Sequence, residues 1–108
     1  MLAAILAELL TDMGHDICAV CATAQDAVVH ALDYRPDIML VDVRLGQGSG
    51  VTAVATILKT TPIPHIFMSG DMIIIKSLSE QAVTLRKPFQ EFELACALTE
   101  AVARCRAG

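Results

Sequence analysis

"MLVDVRLGQGSG", residues 39–50, is an apolar run that stops at a single acid and then continues into glycines. With Ile38 in front of it, the run up to Val41 shows no alternation of polar and apolar residues. That pattern belongs to a strand covered on both faces, as strands of a parallel sheet are. A carboxylate at the end of such a strand is costly unless something uses it. Asp42 is therefore the first candidate functional residue.

Working outward, the flanking segments supply the layers such a strand needs. Leu2, Ile5, Leu6, Leu9, Leu10 and Met13 follow a helical period, and Gly14 stands at the C-cap position. A short strand is expected over 16–21. Thr23, with Asp26 three residues on, opens a helix that runs through Leu32 and is broken by "YRPD". Beyond the acid, Ser49 is placed to cap a helix carrying Val51, Val54, Ala55 and Leu58, which "TTPIP" stops. "HIFMSG" reads as a second buried strand, ending at Ser69. A weak helix over 73–81 follows, weakened by the consecutive β-branched Ile73, Ile74 and Ile75. Residues 83–86 form a last strand, Lys87-Pro88 a turn, and 90–104 a closing helix with Leu94, Leu98, Ala101 and Val102 on one face. Strict alternation of helix and strand predicts a doubly wound parallel sheet with helices on both faces, as one α/β domain over residues 1–108.

Composition narrows the classes of function. The chain has 108 residues, 55 % of them hydrophobic and only 4 % aromatic, enough for an aliphatic core. Its net charge is −4, with no basic cluster, so nothing supports a nucleic-acid surface. "MLAAILAELL" has no basic start, carries Glu8 and lacks a small-residue cleavage site, so it is not read as a signal peptide. No apolar run reaches membrane-span length. Cys18 and Cys21 form C-x-x-C, but on an expected strand these positions point to opposite faces, and no second pair completes a zinc site. With Cys96 and Cys105 they read as buried spectator thiols of a cytoplasmic protein.

Ligands of such sheets bind beyond the carboxyl ends of the strands. Asp42, Ser69 and Lys87 each follow one of the apolar strands, so an acid, a hydroxyl and an ammonium are expected on one rim. Singly, each has an ordinary explanation as cap, turn or solvated loop residue. Three at successive strand ends form a constellation. "LGQGSG" lacks the Gly-Lys-Ser/Thr of a nucleotide P-loop and is read as a tight strand-to-helix turn.

On "PDIMLVDVRLGQGSG", "FMSG" and "RKPF", the chain resembles the receiver domains of two-component response regulators, with a weaker likeness to the single-domain type. The resemblance implies a flavodoxin-like fold. It implies that Asp42 is the phosphoacceptor, that Ser69 and Lys87 donate to the phosphoryl oxygens, and that the Lys87-Pro88 bond is cis. It further implies a metal site formed by Asp42 and the backbone carbonyl of Arg44, whose side chain would face the pocket mouth. The implied partners are a sensor histidine kinase or a histidine phosphotransfer protein, in a phosphorelay without enzymatic turnover.

In that family a first strand ends in a pair of acids, and here Met1 falls just after the place where that segment would end. Two expectations follow: Mg²⁺ is weakly held or absent, and a homo-oligomer or direct pairing of strands 16–21 and 38–41 covers the gap. Asp71 is the nearest substitute acid. Thr84 stands where the family has an aromatic switch residue, so the segment from Asp71 onward would carry the output. The alternative is a pseudo-receiver, a protein-interaction or dimerisation module that is not phosphorylated. An aspartyl phosphatase would need a second Asp where Arg44 stands, and is set aside.

Overall fold

The computed structural model describes residues 9–14, 23–45, 48–78 and 82–107, and for 24, 44, 45, 48, 106 and 107 only the backbone. After a helical segment at 9–12 come α1 (Ala24–Tyr34), β1 (Met39–Asp42), β2 (Arg44–Leu45), β3 (Gly48–Ser49), α2 (Gly50–Leu58), β4 (His65–Ser69), α3 (Met72–Ser77), β5 (Thr84–Arg86) and α4 (Glu91–Ala107). The expected strand at 16–21 lies outside the described residues, and so do Cys18, Cys21 and the pairing or oligomer that was to cover the gap.

The main sheet has the order β1-β4-β5, all parallel. Side chains of β4 alternate between two layers, as a strand must. Ile66 and Met68, with Leu40 of β1 and Leu85 of β5, pack with Leu10 of the first helical segment and with Phe89, Leu94, Leu98 and Ala101. Phe67 points the other way, with Val41 against Val54 of α2. Ala31 of α1 meets Ile57 and Ile63 on that second side. Helices thus cover both faces, and the expected doubly wound, flavodoxin-like α/β fold is what the chain adopts.

Local chemistry sets the helix ends. Thr23 Oγ1 accepts the N–H of Asp26 at 3.1 Å, and Ser49 Oγ accepts that of Val51 at 3.2 Å. Each such cap is worth about 1 kcal/mol. "YRPD" ends α1 through Arg35, which takes the left-handed conformation (φ 48°) while its N–H donates to Ala31 O. Gly14 closes the first helical segment at φ 93°.

Four expectations are corrected. "LGQGSG" is more than a turn: Arg44 pairs with Ser49 and Leu45 with Gly48, an antiparallel hairpin between β1 and α2. On α2, Val51 and Leu58 are exposed, and Gly50, Ala53, Val54 and Ile57 face inward. The cause is Gly50, where an added Cβ would meet Asp42 O at 2.0 Å and Val41 Cγ1 at 2.7 Å. The helix start lies against the end of β1, and that contact fixes which face turns in. The helix expected over 73–81 spans only Met72–Ser77 and ends at Leu78. Cys96 is exposed and Cys105 half-buried, so neither is a buried thiol: Cys96 lies off the inward stripe of Leu94, Ala97, Leu98 and Ala101, and Cys105 continues that stripe only near the end of α4, with its Sγ 4.0 Å from Pro62 O.

Candidate functional site

Parallel pairing brings the strand ends into one row. Asp42, the last residue of β1, is in register with Met68, and Met68 with Leu85. The next level holds Ser69, in register with Arg86. Backbone bonds continue past the strands: Val43 N–H donates to Met68 O at 3.0 Å, and Lys87 N–H to Ser69 O at 2.9 Å. The strand ends that carry Asp42, Ser69 and Lys87 therefore lie on one edge of the sheet.

Lys87 Nζ donates to Asp42 Oδ2 at 2.5 Å. Asp42 and Lys87 share a side of the sheet because each lies an even number of residues from Leu40 or Leu85, which pack in one cluster. The Asp42 side chain is 38 % exposed and that of Lys87 20 %. The acid is thus open to a solvent-borne group, and the cation is held against it from below. The Lys87-Pro88 bond is cis, as the resemblance implies.

Ser69 is the one buried polar side chain among the described residues. Its Oγ accepts the N–H of Asp71 at 3.0 Å. A hydroxyl that accepts one bond still has its proton to give. No described residue takes that proton, which leaves Ser69 a donor at the rim.

Gly50 completes the positioning. Its N–H donates to Val43 O at 2.8 Å, directly after Asp42. Only a residue without a side chain allows that approach to the Asp42 carbonyl. The signal was present in the sequence as a glycine after a capping serine, but its packing role needed the strand position.

The implied metal ligands can be tested against the donors present. Asp42 Oδ2 is engaged by Lys87. Asp71 Oδ1 accepts the N–H of Ile73 at 2.9 Å and caps α3, so this acid serves the helix. No group of three or more His, Cys, Asp or Glu forms a metal cluster among the described residues. Arg44 contributes a backbone carbonyl in β2, its side chain lying outside the described residues. Mg²⁺ takes about six oxygens in near-octahedral geometry. Among the described residues the donors named for it are one carboxylate, already engaged by Lys87, and one backbone carbonyl, so no chemical step is assigned to the ion.

A doubly wound sheet with an acid, a serine and a lysine at successive strand ends belongs to the class of α/β domain whose ligands bind at the strand-end rim. The chain belongs to the response regulator receiver domain family, which it matches over residues 1–99. It is 32 % identical over 101 residues to the phyllosphere-induced regulator PhyR of Methylorubrum extorquens, covering 90 % of this chain and 38 % of that protein. The solution structure of the Erythrobacter litoralis PhyR response regulator REC domain superposes with a TM-score of 0.80 at 29 % identity, over 94 % of this chain and 81 % of that one. The crystal structure of the anti-anti-sigma factor PhyR from Bartonella quintana gives 0.78 at 25 % identity, over 97 % and 45 % respectively. The chain therefore spans less than half the length of the longer PhyR proteins it matches. Among the described residues, no helix is long and apolar enough to cross a membrane.

Proposed function

We propose that this receiver accepts a phosphoryl group on Asp42, from a phosphohistidine of a sensor histidine kinase or of a histidine phosphotransfer protein, as one step of a phosphorelay. The observation that carries the reading is the Lys87–Asp42 contact at the strand-end rim, in one row with the end of β4 that carries Ser69. A carboxylate oxygen of Asp42 attacks phosphorus. The new O–P bond forms as the P–N bond breaks, and its electron pair returns to the ring nitrogen, which takes a proton from water. In this reading Lys87 neutralises the charge carried by the phosphoryl oxygens, and Ser69 donates a hydrogen bond to one of them. Water then cleaves the acyl phosphate and restores the carboxylate, so the residue is a switch that is set and reset. This reading makes the domain regulatory.

The test is transfer of radiolabel from a phosphorylated histidine kinase. Asp42→Asn is expected to abolish the label; unchanged label on that variant ends the proposal.

A second reading has one observation behind it. The described residues hold no acidic cluster at the rim, and Asp42 is already paired with Lys87. On this reading the domain works by protein contact without phosphorylation, and the relative described as an anti-anti-sigma factor is a regulator named for its protein partners. Beryllofluoride, added in a Mg²⁺ buffer and followed by amide NMR, separates the two. Shifts at Asp42, Ser69 and Lys87 support phosphoacceptance, and a silent rim leaves the contact role.

A further inference from the structure

α2 carries no charged residue, and apolar side chains lie all round it. Gly50, Ala53, Val54 and Ile57 are buried, while Val51, Ala55 and Leu58 stay exposed. A helix apolar on every side belongs in an interior. α1 adds to the same surface, with Val29 48 % exposed and Leu32 38 %. Single exposed aliphatics are ordinary, but two neighbouring helices that both present them form a patch.

The two helices are adjacent and in step. Ala31, near the end of α1, packs against Ile57, near the end of α2. α1 also touches β3, which directly precedes α2. They therefore run side by side in one direction, and residues equally far from the Ala31–Ile57 contact lie at one level. Asp26, Val29 and Asp33 are exposed on α1, and Thr52, Ala55 and Lys59 are exposed at the matching levels along α2 and its C-cap. Helical spacing puts each set in one row, turned away from Ala31 and Ile57. The α1 row is acidic, and the α2 row ends in a cation. Asp33 and Lys59 form no ion pair among the described residues.

We propose that a second copy of this chain docks on the α1–α2 face, with the two-fold axis parallel to the helices. That axis lays α1 of each copy along α2 of the other, in the same direction. Val29 then meets Ala55, and Asp33 meets Lys59, each contact occurring in both senses as an isologous interface requires. An axis lying across the helices would instead set α1 against α1, antiparallel, with Asp26 opposite Asp33 of the second copy. Like charges oppose that arrangement. Area sets the strength. With 11 and 9 residues in the two helices, about 1.5 Å of rise per residue and about 10 Å between axes, the face measures roughly 16 by 20 Å. That is less than the ~800 Å² per partner of a standard interface, so the dimer is a weak one that forms at high micromolar concentration. The inference does not depend on the phosphoryl reading of the rim.

The test is sedimentation velocity of the whole chain from about 10 μM to about 1 mM. The wild type is expected to pass from monomer toward dimer over that range. Lys59→Asp and Asp33→Lys are each expected to weaken dimerisation about tenfold, since each turns two attractions into two repulsions. The two substitutions together restore both pairs and are expected to dimerise within about threefold of wild type. Ala55→Arg seats a charge in the middle of the face and is expected to stay monomeric throughout. All three positions are exposed, and a circular-dichroism melt identifies any variant that does not fold; the wild type and the remaining variants then decide. A wild type that is monomeric at every concentration overturns the proposal, whatever other partner the face takes. A dimer that Ala55→Arg leaves intact overturns it too, as does a charge reversal that the double variant fails to rescue.

Discussion

Lys87 reaches Asp42 across 45 residues of chain and donates to its Oδ2 at 2.5 Å, so the acid that ends β1 never stands without a counter-charge. The cation comes from the turn after β5, two strands away. Only the parallel order β1-β4-β5 places the two on one edge.

Replacing that lysine separates its two roles. The Asp42 side chain is more than a third exposed, so solvent screens the pair and it contributes at most about 1 kcal/mol to stability. Lys87→Ala is expected to shift the urea midpoint little. Phosphoryl transfer to Asp42 is expected to fall about a hundredfold, the usual scale for losing one donor to developing negative charge. Parallel urea titrations and kinase-to-receiver transfer rates check both halves. A large loss of stability with unchanged transfer would make Lys87 a structural residue.

Gly50→Ala tests the approach of α2 to the strand end. The added Cβ would meet the Asp42 carbonyl oxygen at 2.0 Å, and neither backbone can yield without breaking the Gly50–Val43 hydrogen bond. A destabilisation of about 1–3 kcal/mol is expected from the forced displacement. Because the displaced atom belongs to Asp42, phosphoryl transfer should fall too, and by more than in an equally destabilised variant remote from the rim. Equilibrium unfolding and transfer rates measured on the two variants give the comparison.

Leu94→Ala is the remote variant to use. Leu94 is fully buried in the layer between α4 and the sheet, among Ile66, Leu85 and Leu98. Truncation is expected to cost about 2–5 kcal/mol, depending on how far the site collapses. Under conditions where the chain remains folded, transfer to Asp42 should persist. A circular-dichroism melt with the activity assay run below the transition checks this.

Arg35→Gly is expected to stabilise. Arg35 holds a left-handed conformation (φ 48°) to close α1, and a side chain there costs free energy that glycine avoids. The gain should be some fraction of the 1–2 kcal/mol that the left-handed region costs an ordinary residue, since glycine also loses more entropy on folding. A raised urea midpoint with an unchanged slope supports the assignment.

The rim was legible in the sequence because strand alternation and strand ends depend on local patterns. Asp42, Ser69 and Lys87 each follow an apolar run, and parallel topology does the rest. The caps at Thr23 and Ser49 were legible for the same reason. Features set by contact between segments were not. Val51 and Leu58 belong to an apolar stripe by spacing, yet the seating of Gly50 on Asp42 rotates them outward. Asp71 could be read as a spare acid for the rim, and the geometry assigns it to α3, where an Asp before an apolar run is a cap signal that was there to be seen. Cys96 looked like a core thiol on composition alone, but a helix exposes whatever its inward stripe does not use.

The alternation along β4 has one more consequence. Ile66 and Met68 anchor one layer while Phe67 anchors the other, and the strand is bonded on both edges. Neither layer can peel away without tearing the spine they share. In deuterated buffer, the amides at 66–68 should be the last to exchange, at a rate set by opening of the whole domain rather than of one side.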